Sequence, residues 1–437
     1  MIRGGGVPPP SLSAAVVQAY CTFFHMREKE RRENMEKKGI EYLRNKLRAR
    51  SGRVRHKFKQ YDMKYIDNDR SITISDELRA NYRAVLGWCT KSVDSIADRL
   101  VFREFDDDVY EINQIFQMNN PDVFFDSAIL SALIGSCSFI YISEGVEGIP
   151  RLQVIEADKA TGVLDPITGL LTEGYAVLKS DERGNPSIEA YFEPFRTTII
   201  SQGIYQAFNH SVPYPLLVPI IHRPDAVRPF GRSRITRAGM YYQKYAKRAL
   251  ERSDVTAEFY SFPQKYILGM ETDAEKWDTW KATVSSMLRI DKDSDGGHPV
   301  VGQFTTSSMS PFMEQLRMAA AGFAGESGLT LDDLGFVSDN PSSSEAIKAS
   351  HETLRIMAKK AQRCFSSGFL NVAFLACCLR DDYPYYRHEF TKIKVKWENV
   401  FEVDASGMGL LGDAIVKINQ AIPDYFDKGE VRDMLGR

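Results

Sequence analysis

The side chains able to bind metal or act as nucleophiles are few and scattered. The seven histidines (25, 56, 210, 222, 298, 351 and 388) form no pair at ligand spacing. The six cysteines (21, 89, 137, 364, 377 and 378) contain no CxxC pair, and adjacent Cys377 and Cys378 point in different directions on a helix. They read as reduced, mostly buried thiols of a reducing cytoplasm rather than as a zinc site. The run Asp106–Asp107–Asp108 offers carboxylates for Mg²⁺, yet three adjacent side chains cannot all converge on one ion. A nuclease reading rests on nothing more than such carboxylates. DKDSDG at 291–296 opens like a calcium loop, but Gly302 stands where that loop needs its glutamate. His351, beside Glu352 and near Glu345, reads as structural or solvated. The sequence carries no GxxxxGK[ST], HExxH or GxSxG. Neither an enzyme nor a cofactor is written here.

Cations are the groups with the most pattern. Residues 27–64 hold 15 Lys/Arg against 6 Asp/Glu. Up to Glu41 the acids interleave at helical spacing, as on a solvated helix laced with i,i+4 pairs. The stretch 48–60 has no acid. Its Arg48, Arg50, Arg53, Arg55, Lys57 and Lys59 form a candidate basic arm facing nucleic acid or an acidic protein neighbour. A second set lies at 232–252, where Lys244, Lys247 and Arg248 belong either to an ordinary solvated helix or to a packed wall near DNA. The formal net charge is nevertheless −2 and the pI about 6.4. A protein that holds duplex DNA with its whole surface is strongly basic, so any DNA is gripped locally or allowed to pass.

The elements that must position these groups divide the chain. At 437 residues, with 43% apolar and 26% charged residues, it is long enough for two or three domains. The first ten residues read as a loose arm and not as a signal peptide, and no apolar stretch reaches the length of a bilayer span. A helix is predicted over 11–50. An amphipathic helix follows over 76–99, with Val85, Trp88, Cys89, Val93, Ile96 and Leu100 on one stripe. A short strand at LVFREF comes next, then a helix after Pro121 that turns into a buried strand at 138–143. Alternating β-branched and aromatic runs over 151–205, cut by DPITG and DERGNP, predict an antiparallel sheet of three to five strands, closed by 211–225. Ser233 is placed to cap a long helix over 235–262, about 42 Å at 1.5 Å per residue. A small α/β insert follows, then a helix with Pro311 in its first turn, where proline is tolerated. A third helix of about 35 residues covers 344–380. A strand and a helical pair end the chain. The fold class is α+β.

Several segments in this order resemble a known family. FGRSRITRAGMYYQKYAKRALERSDVTAEFYSFPQKYILGM (230–270) and MEQLRMAAAGFAGESGLTLDDLGFVSDNPSSSEAIKASHETL (313–354) are similar to the portal proteins of long-tailed double-stranded DNA bacteriophages. PQKYILG at 263–269 and NPSSSEAI at 340–347 are the most telling; WCTKSVDSIADRLVFREF and VKWENVFEVDASGMGLLGDAIVKI add to them. The resemblance spans roughly residues 40–437. It implies a ring of 12 copies in the virion, built of wing, stem, clip and crown around a channel. The wing would be 1–230 with 342–400, the stem helices 231–262 and 308–327, the clip 263–307, and a short crown 401–437. The channel loop would be 328–341, its Asp332, Asp333, Asp339 and Asn340 facing DNA and the acids repelling phosphate. Ser342 and Glu345 would cap the next helix. The implied partners are further copies of the chain, double-stranded DNA, the terminase large subunit, major capsid and scaffolding proteins and a head–tail adaptor, with no membrane. The implied place is a capsid vertex, after assembly in the host cytoplasm. A different ring-forming head-completion protein is the alternative; the long helix–insert–helix unit is larger than such an adaptor needs.

Overall fold

A computed structural model describes residues 37–65, 82–107, 109–261, 265–268, 300–303, 308–336, 349–401, 405–423, 425–426, 428–429 and 431. In chain order the helix α1 spans Gly39–Tyr61 and α2 Trp88–Ala97, followed by β1 (Phe102–Asp106), α3 (Ile112–Gln117) and α4 (Pro121–Gly135). The strands β2 (Cys137–Ser143), β3 (Arg151–Glu156), β4 (Ala160–Leu164), β5 (Leu171–Ser180) and β6 (Pro186–Glu193) come next. After them lie β7 (Arg196–Ser201), β8 (Ile204–Asn209) and β9 (Leu217–Ile221). The long helix α5 (Arg237–Ser261) leads to β10 (Lys265–Leu268), β11 (Val300–Gln303) and α6 (Ser310–Ser327). The chain ends with α7 (Glu352–Arg380), α8 (Arg387–Phe390), β12 (Lys394–Trp397) and α9 (Ala405–Ala421). The α+β class expected from the sequence is the one observed.

The described residues fall into two compact units. The first draws on the described residues within 37–59, 93–234 and 354–431. It holds an antiparallel sheet in the order β4-β5-β6-β7-β8, a three-stranded sheet β3-β2-β9, and the pair β1-β12. The alternating sequence over 151–205 therefore does not make one sheet. β3 pairs with β2, and so does β9, which the sequence suggested would close the larger sheet. The reason lies in β2, where Cys137, Phe139, Ile140 and Ile142 are all buried and a strand on either edge satisfies its backbone. The predicted DPITG and DERGNP turns are present. Asp165 accepts from the Ile167 amide and the Thr168 hydroxyl, and Asp181 from the Arg183 and Asn185 amides.

The core of this unit is aromatic. Phe102 stacks on Phe125 at 3.7 Å and meets Trp397 edge-on at 5.6 Å, while Phe125 meets Phe369 at 4.8 Å. One cluster thus ties β1, α4, α7 and β12, each pair adding about 0.5–1.5 kcal/mol beyond the area it buries. Helix α7 has the length and hydropathy of a membrane span. Its apolar side chains, from Phe365 through Phe369 to Cys378, are instead buried inside the unit. The acidic run before α3 also has a structural use. Asp107 accepts from the amides of Val109, Tyr110 and Ile112, and Asp106 lies 3.2 Å from Lys396. Asp108 lies outside the described residues.

The second unit draws on the described residues within 60–92 and 235–353. Its centre is the packing of α5 on α6, through buried Ala246, Ala249, Ala319, Ala320, Phe323 and Ala324. The small residues at 318–325 allow close approach: a Cβ at Gly322 would lie 2.4 Å from the Tyr242 ring. Helix α5 is capped by Thr236, whose hydroxyl accepts from the Gly239 amide, and not by Ser233. Ser233 is buried before the first turn begins. The helix expected over 76–99 is shorter among the described residues. Residues 82–87 are not helical, and Val85 is 67% exposed instead of lying on the buried stripe. Trp88 does face inward, 5.5 Å from Phe323, and the Cys89 amide donates to buried Gln243 at 2.7 Å. Strands β10 and β11 pair antiparallel. The insert helix expected at 271–288, the turn 291–296 and the cap at Ser342–Glu345 lie outside the described residues.

Candidate functional site

Two cationic helices and one loop carry the residues singled out from the sequence. Helix α1 forms because its apolar positions recur at helical spacing. Ile40, Leu43 and Leu47 pack on Tyr175, Val177 and Tyr191 of the five-stranded sheet. Its first turn is held by a carboxylate from that sheet. Buried Glu173 accepts from the Lys38 amide at 2.7 Å and the Gly39 amide at 2.9 Å, with the Tyr191 hydroxyl donating to it at 3.0 Å. A negative charge beside free helix amides is favourable. Arg44 spans Glu189 and Glu41, which push its guanidinium pKa upward, and Lys37 reaches Glu193 at 2.8 Å. Acids on the sheet therefore neutralise the start of α1.

The later turns of α1 lack that compensation. Arg48, Arg50, Arg53, Arg55 and Lys59 are exposed and Lys57 is half-buried. Among the described residues none of these six has a carboxylate within 4 Å, although Arg55 donates to the Ser51 hydroxyl. Lys46 donates to the Gly162 carbonyl at 2.5 Å and sits over the Phe230 ring at 4.9 Å. Burial, with Arg50 and Lys38 nearby, pushes its amine down to about 8. Burial and Arg228 push Lys57 down to about 8 as well.

On α5 the three candidate cations differ in setting. Lys247 is enclosed, with its ammonium 4.9 Å over the Tyr65 ring and 3.9 Å from Glu251. Lys244 and Arg248 are half-buried, and the Arg248 guanidinium lies 5.9 Å from the Tyr245 ring.

The loop after α6 is ordered by its own side chains up to Phe336. Gly328, in the left-handed conformation, ends the helix with its amide on the Ala324 carbonyl. Thr330 donates through its amide and hydroxyl to Asp333, and the Asp333 amide donates back to the Thr330 hydroxyl. This closes a 3₁₀ turn over Asp332–Leu334, which Gly335 ends at φ 89°. Asp333 also lies 3.8 Å from His351. Of the two acids, Asp332 is the exposed one. Asp339 and Asn340 lie outside the described residues. Among the described residues no three His, Cys, Asp or Glu side chains gather as a metal site would require.

No family model matches the chain. It is 25% identical over 319 residues to the portal protein of Mycobacterium phage L5, covering 67% of this chain and 63% of that protein. It is 26% identical over 307 residues to the portal protein of Mycobacterium phage D29, covering 64% and 61%. The chain thus matches a little over three fifths of the length of these curated relatives. A chain from the virion of a native gene transfer agent particle superposes with a TM-score of 0.47 at 14% identity, covering 88% of this chain and 99% of that one. In sequence the chain is thus similar to phage portal proteins. The chain is related to those of the two mycobacteriophages, in keeping with the resemblance drawn from its motifs.

Proposed function

We propose that the chain is a structural, non-catalytic portal subunit, closing with copies of itself into a ring through which double-stranded DNA is packaged and ejected. The sequence relationship to two portal proteins carries this reading. The α5–β10–β11–α6 unit supports it, as two long helices joined by a small β pair suit a stem and clip. In this reading the stem is 231–262 with 308–327, the clip 263–307, the channel loop 328–341, the crown 401–437 and the wing the rest. Twelve copies sit at one capsid vertex, after assembly in the host cytoplasm. The ring meets the terminase large subunit during filling, the capsid and scaffolding proteins around it, and a head–tail adaptor afterwards. Lys244 and Arg248 are the α5 cations proposed to face the passage, and Asp332 and Asp339 the acids that keep phosphate from sticking.

Mass measurement of the purified protein, with an averaged view down the assembly axis, tests the proposal. The expected result is a closed ring whose mass is a multiple of 49.5 kDa and whose hole admits a duplex. A single chain at micromolar concentration overturns it.

A further inference from the structure

Helix α1 carries a charge arrangement that the conduit itself does not call for. Lys46, Arg50, Arg53 and Lys57 recur at i, i+4, i+7 and i+11, which places them on one face over about 17 Å of axis. The loop between β9 and α5 sits beside that face. Its Phe230 ring lies under the Lys46 ammonium at 4.9 Å, and Arg228 is close enough to Lys57 to depress its pKa. The loop's shape is fixed at Gly231, where a Cβ would come within 2.1 Å of the His222 carbonyl oxygen. Its one carboxylate is already engaged: Asp225 accepts from Arg232 at 2.7 Å and from the Val227 and Arg228 amides. Among the described residues Arg50, Arg53, Lys57 and Arg228 have no carboxylate within 4 Å. Five basic side chains thus meet with no carboxylate among the described residues paired to them.

Resting on the portal reading, we propose that this face of the first unit, α1 with Arg228, binds the phosphate backbone of duplex DNA without regard to sequence. Three of the five cations are arginines, whose planar donors match phosphate oxygens. A duplex supplies a charge about every 1.7 Å of axis, so a row of cations meets phosphates in any register. An acidic protein would have to place its carboxylates one by one. Four of the cations are anchored on a helix bonded to a sheet and the fifth on a loop whose shape Gly231 fixes, so the backbone needs little ordering on binding.

The test uses the full-length protein in its purified assembly state and a fluorescent duplex of about 30 base pairs, titrated by anisotropy between about 50 and 200 mM salt. Arg50→Ala, Arg53→Ala and Arg228→Ala together remove three exposed cations. They are expected to weaken binding at low salt at least about tenfold and to make the slope of log K against log salt less steep by about 2 to 3. Arg183→Ala, in the 181–185 turn, is expected to change neither. An unchanged affinity and slope in the triple variant, with an unchanged melting curve, overturns the inference. So does equal displacement of the duplex by polyglutamate at matched charge, which assigns the face to an acidic protein. Mass measured on the same samples separates the two readings: a ring with insensitive DNA binding removes this inference alone, whereas a lone chain removes the conduit as well.

Discussion

His222 shows what a single buried side chain does here. It is 2% exposed, and its Nδ1 donates to the Arg232 carbonyl at 2.7 Å, since a carbonyl can only accept. Burial pushes its pKa down to about 4, below the unfolded value near 6.5. Between those values the unfolded chain holds a proton that the folded one lacks. Its contribution to stability is therefore complete above about pH 6.5 and lost progressively as pH falls toward 4. At pH 5 the loss is about 2 kcal/mol. Urea midpoints at pH 7 and pH 5 should differ accordingly for the native protein and differ less for His222→Gln; an equal shift in both removes His222 as the cause. The thiols follow the same physics: burial pushes Cys89, Cys137 and Cys378 up to about 12, which leaves them inert rather than catalytic.

Among the elements, α5 and α6 are held together by small side chains rather than by large ones. Gly322 faces the Tyr242 ring closely enough that any side chain must displace it. Gly322→Val is expected to destabilise the second unit by about 1–3 kcal/mol, read as a lower denaturation midpoint. A midpoint equal to that of the native protein would mean that the two helices do not pack as described. The strongly cationic turns of α1 pose the opposite problem. They are tolerated because buried Glu173 and the pairs at Arg44 and Lys37 fix the start of the helix to the sheet.

For the whole molecule, the proposed ring turns on how identical chains would meet and what would pass between them. Loop 328–341 is proposed to narrow the passage and to rearrange as DNA moves. Replacing 332–340 by a short rigid linker should reduce packaged or retained genome while leaving the mass of the assembly unchanged. Full genome content in particles built with that variant would contradict the proposal. The near-neutral net charge of −2 suits the proposed passage, which would have to release what it conducts, because each neutralised phosphate adds grip.

The α+β class and most elements were legible in the residues alone. Periodicity separates the long helices from the alternating strands, and Asp165 and Asp181 mark turns by chemistry local to four or five residues. Motifs spread along the chain likewise carried the relationship to portal proteins. Other features emerged only from the folded chain. β9 joins β2, Lys247 is enclosed while its neighbours are less so, and Asp107 holds the amides leading into a helix instead of offering itself to a metal. Phe230 and Arg228 likewise come to lie beside the cations of α1, which stand far earlier in the chain. The difference is one of range. Propensity and turn chemistry act between neighbours, whereas strand partners and side-chain surroundings are set by contacts between residues far apart in sequence, which no local pattern records.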